Sequence, residues 1–348
     1  MTEINRRWVL VRRPEGRVKD SDFKRDDQPL PELGPNDVRV RVTHLSFDPT
    51  QRIWIQEDSY MPAVPIGAVV RATGIGQVVA SNNPNYKPGQ LVQGAMGWQD
   101  YVQNEGYTEF GPLFPTPQGL MPEQLMGAYG ANSITAWFGV HDILFPKEGE
   151  TALVTGAAGS VGSAAAQILK AAGCKVIGVA GGPVKKQWCV DVAGMDACID
   201  YKNEDVAARI KKLAPDGLNM IFENVGGEIL DAGLANLAIG ARISLCGAIS
   251  GYDSDTPEPG LKNYMNLVIQ RGTMKGFVML DYIPRMQEGG MAVAALAAQG
   301  KLKVEIDIAA DYGEPVAAAN DGIVKMAQSL NITGNTVIID HGCGIYSM

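Results

Sequence analysis

The sequence predicts an α/β protein built from a β-rich unit and a doubly wound parallel sheet. Three observations predict it. Thr151 to Ala180 reads as strand, glycine turn, helix and strand. Strand and helix patterns then alternate as far as residue 279, the mark of a parallel sheet with crossover helices. The first 110 or so residues instead carry short alternating strands between Pro and Gly turns.

Length and composition bound the reading. A chain of 348 residues suggests about two domains, and composition changes place them at 1–125, 126–300 and a C-terminal return at 301–348. The chain is 46% hydrophobic and 20% charged, enough apolar residues for real cores. A net charge of −8 disfavours non-specific binding to nucleic acid or anionic membranes. No apolar run approaches the roughly 18 residues of a membrane span. The start, MTEINRRWVL, has no signal-peptide core. Five widely spread cysteines with no C-x-x-C pair suggest a reduced, cytoplasmic protein without structural zinc.

In chain order, Arg7–Arg12 and Asp37–Thr43 alternate as half-buried antiparallel strands, with Pro29, Pro31 and Pro35 turning between them. His44–Arg52 reads as a loop. Pro65–Val79 holds Gly67, Gly74 and Gly76 among Val, Ile and Ala, suiting a tightly curved barrel. Tyr86–Val92 is a Pro-Gly turn entering a strand, and Trp98–Val102 reads as another. Gln124–His141 is apolar at helical spacing. The following strands are expected at 152–155, 175–180, 197–200, 219–223, 242–247 and 273–279, with helices at 161–172, 184–193, 204–213, 228–238 and 284–300. Lys303–Ile308 and Thr336–Ile339 read as strands returning to the N-terminal unit.

The chemistry concentrates after residue 151. Gly156, Gly159 and Gly162 fall three apart between a strand and an Ala-rich helix. Such a turn lets backbone N–H groups approach a pyrophosphate and lets the helix sit close to its strand. The helix N-terminus adds unpaired N–H groups and the positive end of its dipole. The complete strand–turn–helix–strand unit is a dinucleotide signal; the glycines alone would not be.

Five motifs in order carry a family resemblance: Asp48-Pro49, Gly156-Ala157-Ala158-Gly159-Ser160-Val161-Gly162, Asp200-Tyr201-Lys202, Glu223-Asn224-Val225-Gly226-Gly227 and Cys246-Gly247-Ala248-Ile249-Ser250. With them the chain resembles the medium-chain dehydrogenase/reductase superfamily, in the zinc-independent branch of prostaglandin, alkenal double-bond and curcumin reductases. The resemblance implies a GroES-like β-barrel catalytic domain plus a Rossmann doubly wound parallel-sheet domain. It also implies NADP(H) as cofactor, reduction of a C=C bond in an enone or alkenal substrate, and a homodimer joined near Thr273–Met279. By the same resemblance Gly159, Ser160, Val161 and Gly162 face the pyrophosphate, and Lys185 and Tyr201 hold the 2′-phosphate. Asn224, Cys246, Gly247, Ala248, Ile249, Ser250, Phe277 and Met279 line the nicotinamide end, joined by Asn331 from the C-terminal segment. The chain departs from the family in having Thr50-Gln51 for Tyr-Met, Gly181-Gly182 for Gly-Ser, and Asn331-Ile332-Thr333-Gly334 for Asn-x-Gly-Lys.

The residues speak to the same choices independently. An NAD site wants a carboxylate at the end of its second strand, for the ribose 2′-OH. Here that strand ends Val179-Ala180-Gly181-Gly182, and Lys185 and Lys186 follow, which favours NADP; the bland alternative makes either lysine a solvated helix start. Only His44, His141 and His341 are available as imidazole ligands, with no cysteine near His44, so no catalytic metal is expected. Reduction of an enone then needs a hydrogen-bond donor for the carbonyl oxygen, and Tyr252 at the end of the CGAISGY loop is the catalytic candidate. A surface aromatic is the alternative. A quinone reductase of the same superfamily, or a nucleotide-binding sensor without turnover, remains open.

Overall fold

The computed structural model describes residues 3–253 and 259–304 in full, and the backbone of two further strands, Asp307–Ala309 and Val337–Asp340. The chain divides into two compact units, Met1–Met126 with Ile306–Met348, and Gly127–Glu305.

The central unit is a six-stranded sheet of Thr151–Thr155, Lys175–Ala180, Ala197–Asp200, Leu218–Glu223, Leu237–Leu245 and Thr273–Gly276. Every pairing in it is parallel. In space the strands run third, second, first, fourth, fifth, sixth. The order reverses between the first and fourth, and a ligand crevice opens at the carboxyl ends of strands at such a point. Register Leu153↔Ile221↔Ile243 puts these side chains on one face, packed with Ile210, Leu230 and Leu234. Val154 and Phe222 point the other way, into Phe138, Ala164, Ala165 and Ile168. Both faces are covered, so these strands read as continuous apolar runs.

Small residues set the helix-to-sheet distance. A Cβ on Gly162 would lie 2.2 Å from the Gly156 carbonyl oxygen and 3.2 Å from Ala157 Cα. The helix Ser160–Ala171 therefore rests its first turn directly on the glycine loop. Ala164, Ala165 and Ala166 on this helix are wholly buried.

Several boundaries differ from expectation. The helix expected at 228–238 stops at Leu234, and the fifth strand starts at Leu237, not 242. The register slips between its first and later pairs, and Gly240 at φ +72° marks the irregularity, so the Leu-Ala-Ile-Gly-Ala run imitates a helix tail. The sixth strand ends at Gly276, and Met279–Arg285 is a 3₁₀ turn. Phe277 leaves the ladder to pack beside Tyr282 and the Gly139 backbone. In the first unit, His44–Phe47 is strand, not loop: Val38–Phe47 is continuous, with a register shift between Val42 and His44. Leu45, Ser46 and Phe47 are all buried, so the alternation that marks Val38–Thr43 is lost there.

That strand organises the first unit. It pairs antiparallel with Thr73–Ser81 and Tyr101–Asn104, and parallel with Val337–Asp340, within a seven-stranded sheet. Trp98, 2% exposed, packs against Phe23 and Phe47 beneath it. The apolar stretch expected at 124–141 resolves into Pro122–Met126, Ala131–Phe138 and a π-turn at Gly139–Leu144. Lys303 and Val304, expected to begin a strand, lie in irregular chain tied to Gln167 through the Lys303 backbone.

Two glycine substitutions separate contact from propensity. Gly162→Ala should destabilise the protein by about 1–3 kcal/mol or more, because its methyl meets fixed backbone. Gly290→Ala, in the helix Met286–Ala298 with its nearest neighbour 3.9 Å away, should stabilise by up to about 1 kcal/mol. Urea denaturation of the two variants checks both signs.

Candidate active site

The crevice is built on one buried cluster. Thr155 ends the first strand and Glu223 the fourth; both are 0% exposed. The Thr155 hydroxyl donates to Glu223 Oε1 at 2.8 Å and accepts the Asn224 N–H at 2.8 Å. The same Oε1 accepts the N–H groups of Val225 and Gly226 at 2.6 and 2.7 Å. The Glu223 backbone carbonyl accepts the N–H groups of Cys246 and Gly247. One residue thus ties the end of the first strand to the loops Asn224–Gly227 and Cys246–Ser250. Its Oε2 is buried with no hydrogen-bond partner among the described residues. Burial pushes the Glu223 carboxyl up to about 7, against the pull of the Gly226 and Val225 N–H groups and the Thr155 hydroxyl.

The predicted residues fall into two groups around this cluster. Gly159, Ser160, Val161 and Gly162 form the first turn of the helix after the first strand, with Gly156 at φ +59° turning the chain. Gly159 caps the helix without a side chain, so the first-turn N–H groups are turned toward whatever stands at the sheet end. Asn224 lies 7% exposed, and its Nδ2 donates to the Thr155 carbonyl at 2.7 Å. Its amide nitrogen therefore stitches the first strand to the fourth. The Asn224 and Val225 carbonyls accept the Ile249 and Ser250 N–H groups, and the Ser250 hydroxyl also donates to Val225. Gly226, at φ +81°, has room for no Cβ beside Ala248 and Ser250 without displacing them by a few tenths of an ångström.

Tyr252 closes this group. Its hydroxyl oxygen accepts the Ala248 N–H at 3.3 Å, so the ring folds back over Gly247 and Ala248 and is only partly exposed. Cys246 contributes its backbone, while its side chain packs against the core. Phe277 and Met279 likewise lie partly buried against that core, just past the sixth strand.

The second group stands at the end of the second strand. Asp200, ending the third strand, is 4% exposed and accepts the N–H groups of Gly182 and Lys202 and the Asn203 amide. Burial pushes its carboxyl up, but these hydrogen bonds outweigh it and hold the group below the usual carboxylate range. The Tyr201 ring lies over Gly181, and Lys185 starts the helix Pro183–Asp191 half-buried. Lys186 is ion-paired with Glu204 at 2.6 Å. Both lysines are half-buried, and the Lys186 charge is committed to Glu204.

Thr155 escaped the sequence reading, and Glu223 and Asp200 entered it only as members of motifs, with no role of their own. Their signal was faint: a polar residue closing an apolar strand, in ALVT, LNMIFE and ACID. Among the described residues no three His, Cys, Asp or Glu side chains gather to hold a metal ion. His44 is buried and bonds Thr43 within its strand, and His141 packs on Trp137. His341 lies outside the described residues.

Comparison with known proteins decides the family. Residues 6–110 match a family model described as the N-terminal domain of oxidoreductase, and residues 160–298 match one described as zinc-binding dehydrogenase. The NADPH-dependent curcumin reductase of Escherichia coli is 39% identical over 290 residues, covering 82% of this chain and 83% of the relative. The chain belongs to the medium-chain dehydrogenase/reductase superfamily. The NADP(+)-dependent 2-alkenal reductase of Nicotiana tabacum is 33% identical over 96% of this chain and 97% of its own. CurA of Vibrio vulnificus, solved in complex with NADPH, superposes with a TM-score of 0.82 at 34% identity, covering 96% of this chain and 99% of that one. Within the superfamily the chain therefore sits in the branch of prostaglandin, alkenal double-bond and curcumin reductases. A third model, described as peptidase family M23, matches residues 303–348. Asn331 lies in that stretch and outside the described residues, so the cofactor site is drawn from the central unit alone.

The buried carboxyl gives a pH test. Folding raises the Glu223 value from 4.5 to about 7, so the folded protein holds a proton that the unfolded chain has lost. Wild type should therefore lose stability at this site as pH rises through that window, with no further loss above it. Glu223→Gln carries no such proton. The stability difference between the two, from urea denaturation at pH 5 and pH 8, should shift toward the variant by on the order of 3 kcal/mol. A difference that is flat with pH would contradict the assignment.

Proposed function

We propose that this chain reduces the C=C bond of α,β-unsaturated aldehydes and ketones with NADPH. The observation that carries the reading is the end of the second strand. It presents Gly181 and Gly182 with Lys185 and Tyr201 around them, and the nearest carboxylate, Asp200, is buried and bonded to backbone N–H groups. A carboxylate there would hold a ribose 2′-OH and repel a 2′-phosphate; a cation does the reverse.

The residues present fit the cofactor. Close packing at Gly162 brings the helix N-terminus to the sheet end, where the first-turn N–H groups of Ser160, Val161 and Gly162 suit a pyrophosphate. Asn224 keeps its Oδ1 as an acceptor for a carboxamide N–H, since its Nδ2 is committed to Thr155. The loop Cys246–Ser250, with Phe277 and Met279, lines the nicotinamide end in this reading. Bound NADPH supplies a hydride to the β-carbon of the substrate.

Tyr252 then acts on the other end of the conjugated system. Charge develops on the carbonyl oxygen as the β-carbon is reduced, and an oriented donor lowers the barrier. The Ala248 N–H donates to the phenol oxygen and helps fix the ring, and a phenol O–H is the kind of donor this step calls for. Protonation of the α-carbon by Tyr252 or by water completes the saturated carbonyl product.

A homodimer accompanies the reading. Thr273–Gly276 is the edge strand of the six-stranded sheet. Beside it in sequence the helix Met265–Ile269 exposes Met265, Val268 and Ile269 by 49, 66 and 58%, next to Tyr264. An unpaired edge and a contiguous apolar helix suit a two-fold contact between copies.

The activity test is oxidation of NADPH and NADH with an enone, an alkenal and a benzoquinone, chelator present and products identified. Saturated carbonyl product with strong NADPH preference is expected. Turnover of quinone alone would assign the chain to quinone reduction, and tight NADPH binding without turnover would make it a sensor. Tyr252→Phe should lower kcat with the enone by roughly 100-fold while leaving the NADPH dissociation constant unchanged.

A further inference from the structure

We infer that Lys202 is a second cation for the 2′-phosphate and sets the preference for NADPH over NADH together with Lys185. The inference rests on the NADPH reading above and adds a residue to it.

Gly181 follows directly on the end of the second strand, the place where this fold reads the ribose 2′ position. A Cβ built there would lie 2.9 Å from Tyr201 Cε1, 3.0 Å from its hydroxyl and 3.1 Å from Lys202 Cε. The phenol and the lysine arm therefore both occupy the space that a Gly181 side chain would fill, and the Lys202 ammonium is one bond beyond Cε. Gly181 and Gly182 offer no side-chain donor of their own. The donors around this point are Tyr201, Lys185, Lys202 and backbone N–H groups.

The loop that carries Lys202 is fixed in place. Asp200 Oδ1 accepts the Lys202 N–H at 3.1 Å and the Gly182 N–H at 2.8 Å, tying the loop after the third strand to the turn after the second. Asn203 takes the other carboxylate oxygen at 2.7 Å. The acid thus spends its charge on holding this geometry. Glu204, in the same loop, binds Lys186 at 2.6 Å and Arg209 at 2.8 Å. Neither of those cations folds over Gly181. A phosphate dianion between Lys185 and Lys202 gains charge-assisted hydrogen bonds from both.

The test is calorimetric binding of NADPH, NADH, 2′,5′-ADP and 5′-ADP to the full chain, as wild type, Lys202→Met and Lys202→Arg. Lys202→Met should weaken NADPH and 2′,5′-ADP by about 10-fold or more, with a shallower salt dependence. NADH and 5′-ADP should bind it as they bind wild type, which also shows that the variant is folded. Lys202→Arg should keep most of the affinity for the phosphorylated ligands. Unchanged NADPH binding by Lys202→Met, with wild type preferring NADPH, would overturn the role of Lys202. Equal affinity of wild type for NADPH and NADH would instead overturn the cofactor reading beneath it.

Discussion

The hydrogen bond between the Thr155 hydroxyl and the Glu223 carboxyl is the contact on which the site depends. It lies at the point where the strand order reverses, so it joins the two strands whose ends define the crevice. A buried carboxyl is costly unless it is well bonded. Glu223 concentrates its bonds on one oxygen, which accepts the hydroxyl and two backbone N–H groups. The cost of burying it secures a fixed position for Asn224 and Gly226, and through its backbone carbonyl for Cys246 and Gly247. Donors held in place before a reaction need no reorganisation during it.

Asp200 plays the matching part at the other end of the site. It also closes a strand, is buried and bonds backbone N–H groups of two loops. The chemical consequence differs because of what it withholds. A carboxylate turned inward leaves the end of the second strand open to anions. Two acids of similar burial therefore organise the two ends, one shaping the loops proposed to face the nicotinamide and the other the corner proposed for the phosphate.

Close backbone approach is the third constraint. Gly162, Gly181 and Gly226 each stand where a side chain would meet its neighbours, at the three loops that face the cofactor in the proposed reading. The Ala-rich helix behind Gly162 extends the same economy of volume into the core, since its buried alanines let it lie against the sheet.

The sequence by itself determined the alternating strands and helices of the central unit, the glycine turn and the lack of an acid in Val179-Ala180-Gly181-Gly182. These are local properties: periodicity, chain reversal and residue type at a strand end act within a few residues. It misjudged Leu237 and Ala238 as helix tail, left 239–241 out of the fifth strand and read His44–Phe47 as loop, because a register slip and full burial erase the local period. It passed over Thr155 and gave Glu223 and Asp200 no role beyond membership of a motif, each being a polar residue that closes an apolar run. Only the tertiary structure decided their roles, and that Lys186 belongs to Glu204 while Lys202 folds over Gly181. The partners stand 68 residues apart for Thr155 and Glu223 and 18 for Lys186 and Glu204. Pairing at such separations follows from strand order and register, which no stretch of sequence carries alone.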